Sequence, residues 1–221
     1  MPPSEPTPFD LTQTDKLLTT TRSVRKRLDF SRPVAREVVM EALRVALQAP
    51  TGGNVQHWRW LIIDDADKRE GLAELYRRSF EPYMQAQRDA VAAQGRTDMD
   101  KIIGSAQYLS DHLHEAPIHV IPCALGRLPA DTDVESIAGF YGSILPAAWS
   151  LMLALRSRGL GSAWTTLHLR YEREAAELLG IPDTVTQTAL IPVAYYKGTD
   201  FRPGVRRPAE EVTYWNGWKQ R

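Results

Sequence analysis

Between Ile137 and Leu155 the chain is apolar on nearly every helical face: Ile137, Phe140, Tyr141, Ile144, Leu145, Ala148, Trp149, Leu151 and Met152 leave no polar side to turn towards water. A helix apolar all round must be buried all round, inside a core or between subunits. This segment therefore requires a fold that wraps a central helix, or an assembly that covers it. Its most apolar run, Ile144 to Leu155, is shorter than a membrane span, which needs roughly 20 residues. Residues 1–14 are rich in Pro and Thr and lack a basic stretch followed by an apolar one, so no signal peptide is expected. The expectation is a soluble, cytoplasmic protein without membrane partners.

Composition narrows the function classes. The chain has 221 residues, of which 43% are hydrophobic and 24% charged. That is enough to build a core without a disulfide or metal staple. Lys+Arg and Asp+Glu each total 27, a balance that speaks against nucleic acid as a partner. The single cysteine, Cys123, lies in an apolar stretch and reads as a small hydrophobe. His57, His112, His114, His119 and His168 show no metal-ligand spacing, so no metal is expected.

The periodicities predict short strands among more numerous helices. Helices are expected at Asp15–Thr20, Arg36–Gln48, Asp67–Phe80, Ser105–His114, Ile137–Leu155 and Tyr171–Leu179. Strands are expected at Trp60–Ile63, Pro117–Ala124, Ser162–Thr166 and Thr188–Tyr195. Residues 1–14 read as a flexible leader, and 15–221 as a single domain. Within it, residues 81–104 lose their periodicity and read as a mobile excursion, while the tail 198–221 has no clear period. The fold class is α+β, with helices on both sides of a small central sheet, mixed or antiparallel.

Hydrolase and dinucleotide motifs fail. Ser143 lacks the second glycine of a nucleophile elbow, and Gly159-Leu160-Gly161 precedes a strand instead of opening a helix. Three anion- and amide-reading features remain. Arg22-Ser23-Val24-Arg25 offers two guanidinium forks and a hydroxyl suited to phosphate oxygens. Arg206-Arg207 in the tail offers a second pair of guanidinium groups. Pro50-Thr51-Gly52-Gly53-Asn54-Val55-Gln56 combines a chain reversal, two residues without side chains and two carboxamides.

Arg22-Ser23-Val24-Arg25 and Ala49-Pro50-Thr51-Gly52-Gly53-Asn54-Val55-Gln56-His57-Trp58 resemble the two leading signatures of the nitroreductase family of flavoproteins. The resemblance continues through Leu160-Gly161-Ser162-Ala163-Trp164-Thr165-Thr166, Leu179-Gly180-Ile181-Pro182 and Arg206-Arg207-Pro208-Ala209-Glu210-Glu211-Val212, spanning about residues 15–215. It departs from many members at Thr21, where they carry arginine, and at Gly204, where some carry lysine.

The resemblance implies the nitroreductase-like fold and an intertwined homodimer with FMN sites at its interface. It also implies NAD(P)H as co-substrate and reduction of nitroaromatic, quinone or similar small acceptors by ping-pong chemistry at flavin N5. By the same resemblance Arg22, Ser23 and Arg25 would hold the FMN phosphate and ribityl chain, and Arg206 would reach the phosphate. Pro50, Thr51 and Asn54 would lie along the flavin. Trp164, Thr165 and Thr166 would pass near N5, with Thr166 a candidate donor to it. No side-chain catalyst is required, because the flavin carries the redox chemistry. The tail 198–221, with Trp215 and Trp218, would wrap the partner subunit.

Two other functions remain open. A reductive dehalogenase similar to iodotyrosine deiodinase would share the Trp164-Thr165-Thr166 segment, but Glu81-Pro82-Tyr83 and Lys101 lack the Glu–Tyr spacing that would clamp an amino-acid zwitterion. An FMN storage or sensor protein would bind flavin without turnover. The excursion 81–104 is expected to act as a lid that sets acceptor choice, with Tyr83, Met84 and Tyr108 as its contact residues.

Overall fold

A computed structural model describes residues 8–93, 100–199 and 201–219, without the side chains of 90–93 and 100–102. The chain divides into two compact units. One is Arg22–Gly198; the other comprises the described residues of Met1–Thr21 and Thr199–Arg221.

The larger unit is built on a six-stranded sheet, antiparallel at every pairing, which resolves the mixed-or-antiparallel expectation. Its strands are β1 (Leu28–Asp29), β2 (Trp58–Ile63), β3 (Ile118–Leu125), β4 (Leu160–Ser162), β5 (Val185–Gln187) and β6 (Ile191–Tyr196). The order runs β1-β6-β3-β2, with β4 also on β6 and β5 also on β3. β3 is buried from Ile118 through Ala124, as a central strand covered on both faces must be.

Helices α2 (Arg36–Ala46) and α5 (Val134–Ser157) cover one face. Val39, Ala42, Leu43 and Ala46 of α2 and Ala148, Leu151, Met152 and Leu155 of α5 join Ile118, Val120, Ile191 and Val193 in one apolar cluster. Helix α3 (Ala66–Ala93) packs with α4 (Asp100–His112), α6 (Glu172–Leu179) and the short 3-10 segment Leu167–Tyr171.

Three local expectations are corrected. The strand expected at Ser162–Thr166 lies at Leu160–Ser162, and Thr165 makes only an isolated bridge to Leu190. Strands β1 and β5 escape the sequence reading; at two and three residues they are too short to show a period. Helix α3 does not stop at Phe80 but continues through Pro82 to Ala93, so most of the expected excursion is helical. Proline lacks an N–H and so costs a helix one backbone bond. Met84 is only 2% exposed, and such tertiary packing, more than local propensity, holds a helix together beyond a proline.

The central helix is also longer than expected. At 24 residues α5 is long and apolar enough to cross a membrane by length and composition, so the shortness of its apolar run excludes nothing. It is a core helix on one side only. Ile144, Ala147, Ala148, Leu151, Met152 and Leu155 are buried, whereas Ile137 and Trp149 are exposed and Phe140, Tyr141 and Leu145 half-buried.

In the smaller unit, α1 (Leu11–Thr20) begins ahead of its expected start at Asp15 because Asp10 caps it. The Asp10 Oδ1 accepts from the Gln13 N–H at 3.2 Å. The tail holds one short helix, α7 (Ala209–Val212), and is otherwise irregular. The Tyr214 and Trp218 rings lie 5.0 Å apart.

Candidate functional site

A cavity of about 230 Å³ opens in the larger unit. Helix α3 lines it with Tyr76, Phe80, Tyr83, Met84 and Gln87, and α4 adds Ile103 and Ala106. The opposite wall is the segment Trp164-Thr165-Thr166-Leu167, and Arg25 supplies the cation. The space is smaller than most complete ligand sites, which run from roughly 300 to 1,000 Å³.

Backbone stitching sets these walls. The Val24 N–H donates to the Ser162 carbonyl at 2.8 Å, laying the arginine segment along β4. Gly161 allows this approach: a Cβ there would stand 3.0 Å from Val24 Cβ and 3.1 Å from Leu28 Cδ2. Val24 is buried, Arg25 half-buried, and Arg22 and Ser23 at the segment's start are exposed.

Thr165 is held by Leu190 three times. Its hydroxyl donates to the Leu190 carbonyl at 2.6 Å, and the two backbones exchange N–H···O bonds of 3.1 and 2.8 Å. The Thr165 hydroxyl is therefore committed to structure. The neighbouring Thr166 is exposed at the cavity wall and can offer its hydroxyl to a ligand.

The carboxamide turn lies elsewhere on the chain. Gly52–Asn54 forms a single 3-10 turn in which Gly53, Asn54 and then Gln56 take φ values of 57°, 54° and 51°. Such angles suit glycine and asparagine and strain glutamine. Gln56 Nε2 donates to Asn54 Oδ1 at 2.9 Å, and the Gly52 N–H donates to Ser143 Oγ of α5 at 3.1 Å. Pro50 and Asn54 are exposed, Thr51 is half-buried, and none of the three lines the cavity.

Arg206 belongs to the smaller unit, where it is exposed and donates from Nη1 to the Val205 carbonyl at 2.9 Å. Of the expected acceptor contacts, Tyr83 and Met84 line the cavity. Tyr108 does not. Its ring is stacked 6.5 Å from that of Phe30 and lies 4.3 Å from that of His112. Glu81 is exposed and outside the lining, and the Lys101 side chain lies outside the described residues.

The sequence reading misses Tyr76, Phe80 and Gln87. With Tyr83 and Met84 they recur at the spacing of one helical face, so the signal is present in the sequence. Tyr76 is 4% exposed, and burial pushes its phenol up to about 12 even though the Arg25 charge acts to lower it.

His119 on β3 and His168 in the 3-10 segment are fully buried and held down to about 4 by desolvation. Cys123 is buried with its thiol pushed up to about 12 by the same cause, so it is no nucleophile. Among the described residues no cluster of His, Cys, Asp and Glu could hold a metal.

The model of the nitroreductase family matches residues 18–195. The chain belongs to the nitroreductase family, a class of flavoprotein oxidoreductases. A protein of Archaeoglobus fulgidus provisionally named NADH dehydrogenase/NAD(P)H nitroreductase is 26% identical over 187 residues, covering 82% of this chain and 84% of its own. The iodotyrosine deiodinase of Thermotoga neapolitana is 25% identical over 175 residues, 79% of this chain and 84% of its own.

Solved structures share the fold. An oxidised iodotyrosine deiodinase bound to FMN and 3-iodo-L-tyrosine superimposes with a TM-score of 0.67 at 23% identity, covering 92% of this chain and 98% of that one. The FMN-dependent nitroreductase of Mycobacterium smegmatis in complex with NADPH gives 0.65 at 23% identity, covering 94% of this chain and 100% of that one.

Proposed function

We propose that this protein is a soluble, cytoplasmic FMN-dependent reductase, which takes electrons from NAD(P)H and passes them to small nitroaromatic or quinone acceptors. The observation that carries this reading is the meeting of Arg25, Trp164, Thr165 and Thr166 with Tyr83 and Met84 in one cavity. Two family motifs and the expected acceptor-contacting segment converge there from distant parts of the chain.

The residues present suit the cofactor. A planar anionic group needs a fixed cation, an apolar wall and a donor at its edge; Arg25, Trp164 and Thr166 supply these. Bound FMN would carry the redox chemistry between nicotinamide and acceptor. The chain itself would bind, orient and exclude water. Thr165, pinned to Leu190, holds the wall rigid so that Thr166 presents its hydroxyl at a fixed place. Helices α3 and α4 form one wall of the cavity and would limit the access of water to a bound flavin. Arg22 and Ser23, just ahead of Arg25, would take the phosphate.

We further propose that two copies complete the site. In one chain Pro50, Thr51 and Asn54 are absent from the cavity lining, and α5 exposes an apolar face. Gly52 hangs from Ser143 on that helix, so a second copy covering α5 would also cover the turn. The tail, with Trp215 and Trp218 exposed at 71% and 81%, would wrap this partner.

The test is the visible spectrum of the purified protein before and after anaerobic NAD(P)H. A flavin spectrum that bleaches and recovers on adding a nitroaromatic supports the reading. A protein that refuses added FMN overturns it, and bound flavin that no nicotinamide reduces would favour storage.

The likeness to iodotyrosine deiodinases keeps a dehalogenase as a second reading. Iodide released from 3-iodo-L-tyrosine by the chemically reduced protein would favour it over the first.

A further inference from the structure

One residue of the cavity wall, Tyr76, offers a phenol to whatever enters. The residue is 4% exposed and lines the cavity, yet its hydroxyl makes no hydrogen bond among the described residues. Its close aromatic partner is the ring of Phe80, stacked at 6.0 Å. The hydroxyl oxygen is not sealed off: it meets the open cavity and bonds whatever fills it, water or ligand. A phenylalanine would fill the same volume but offer no such bond, so the hydroxyl bears on what the cavity holds.

The surroundings define what could accept it. Phe80, Met84 and Trp164 make the walls broad and apolar, which suits a flat aromatic ring. Among the described lining residues Arg25 is the one charged group, and none is a carboxylate. Among the described lining residues an ammonium group would find no counter-ion, whereas an oxygen carrying partial negative charge would meet the Tyr76 hydroxyl. The phenol stays protonated across the working pH range because burial holds it near 12, so it donates.

We infer that Tyr76 is the residue that selects the electron acceptor, its hydroxyl donating a hydrogen bond to a nitro or quinone oxygen of a planar aromatic without an ammonium group. This rests on the reductase reading above for its function and on the cavity alone for its binding chemistry. Tyr76 is a specificity residue here. It moves no electron, and its hydroxyl keeps its proton.

The experiment compares nitrobenzene with toluene, which differ in the oxygen-bearing substituent. Each is titrated calorimetrically into the purified wild-type protein and Tyr76→Phe without any reductant, and FMN affinity is measured in parallel. The wild type should prefer nitrobenzene by about three- to tenfold, the yield of one neutral hydrogen bond. Tyr76→Phe should lose that preference while binding toluene and FMN as before.

A preference that survives in Tyr76→Phe overturns the inference. So does a wild type without preference, or a variant that loses FMN affinity and keeps its selectivity, which would make Tyr76 a flavin contact. Calorimetry registers the aromatic whether or not flavin is bound. A protein that refuses FMN therefore sinks the reductase reading and still decides what Tyr76 does.

Discussion

The backbone N–H of Gly52 donates to Ser143 Oγ at 3.1 Å, joining residues 91 positions apart in the chain. Ser143 in turn donates to the Gly139 carbonyl one helical turn back, at 2.9 Å, so its hydroxyl both accepts and donates. This single hydroxyl fixes an exposed turn with three left-handed residues onto the most apolar of the described helices. Ser143→Ala should lower stability by about 1 kcal/mol, the net value of such a bond. It should weaken FMN binding more than stability alone accounts for, because the turn loses its anchor. Urea unfolding and an FMN titration on the same variant check this; unchanged FMN affinity would mean that the turn keeps its place unaided.

Thr165 and Thr166 are adjacent and should behave oppositely. Thr165→Val removes a buried 2.6 Å hydrogen bond, yet the Leu190 carbonyl still accepts the Thr165 N–H. The loss should therefore be about 1 kcal/mol, at the lower end for a buried group. Thr166 is exposed. Thr166→Val should leave stability within about 0.5 kcal/mol. Its effect should be on the rate of flavin reduction in stopped-flow traces. Equal stability losses in the two variants would contradict this division.

Two buried histidines should make the fold acid-sensitive. Desolvation lowers His119 and His168 from 6.5 to about 4 in the folded chain, so between those values the unfolded state binds more protons. Stability is full above about pH 6.5 and is lost as pH falls from there towards about 4. Each histidine contributes on the order of 3 kcal/mol over this window. Unfolding free energies measured at several pH values across that window should rise with pH, and His168→Asn should flatten the slope. A slope unchanged in that variant would assign the effect to other groups.

The exposed face of α5 should be an interface. Trp149 is 39% exposed in one chain, so Trp149→Glu disturbs the single chain little. A second copy covering the helix would have to bury that charge without a partner. Sedimentation should show a dimer for the wild type and a monomer for the variant, with FMN affinity falling alongside. A variant that stays dimeric places the interface elsewhere.

Much of this protein is legible locally. The helical period marks α2 and α6, and the continuous apolar run marks the helix that the fold is built around. The order of short motifs is sufficient to suggest the family, since a motif is a few adjacent residues and survives without knowledge of its neighbours. Arg25, Trp164, Thr165 and Thr166 fall into one expected site by that order, and they line one cavity.

The errors fall where long-range packing outweighs local preference. Pro82 and the polar run after it read as the end of a helix. Met84 is buried all the same, and the helix continues. Local sequence is equally silent on surroundings: Tyr108, expected beside Tyr83, has its ring on His112 and is not part of the lining that Tyr83 joins.

The sequence by itself determined where most of the helices lie, which residues are too apolar to face water, and which family motifs the chain carries. Only the tertiary structure decided that Tyr76 and Phe80 line the cavity and that Thr165 is committed to Leu190 while Thr166 is open. Periodicity and motif spacing record interactions between near neighbours. A cavity is made by residues brought together from far along the chain, and packing alone determines which of them meet.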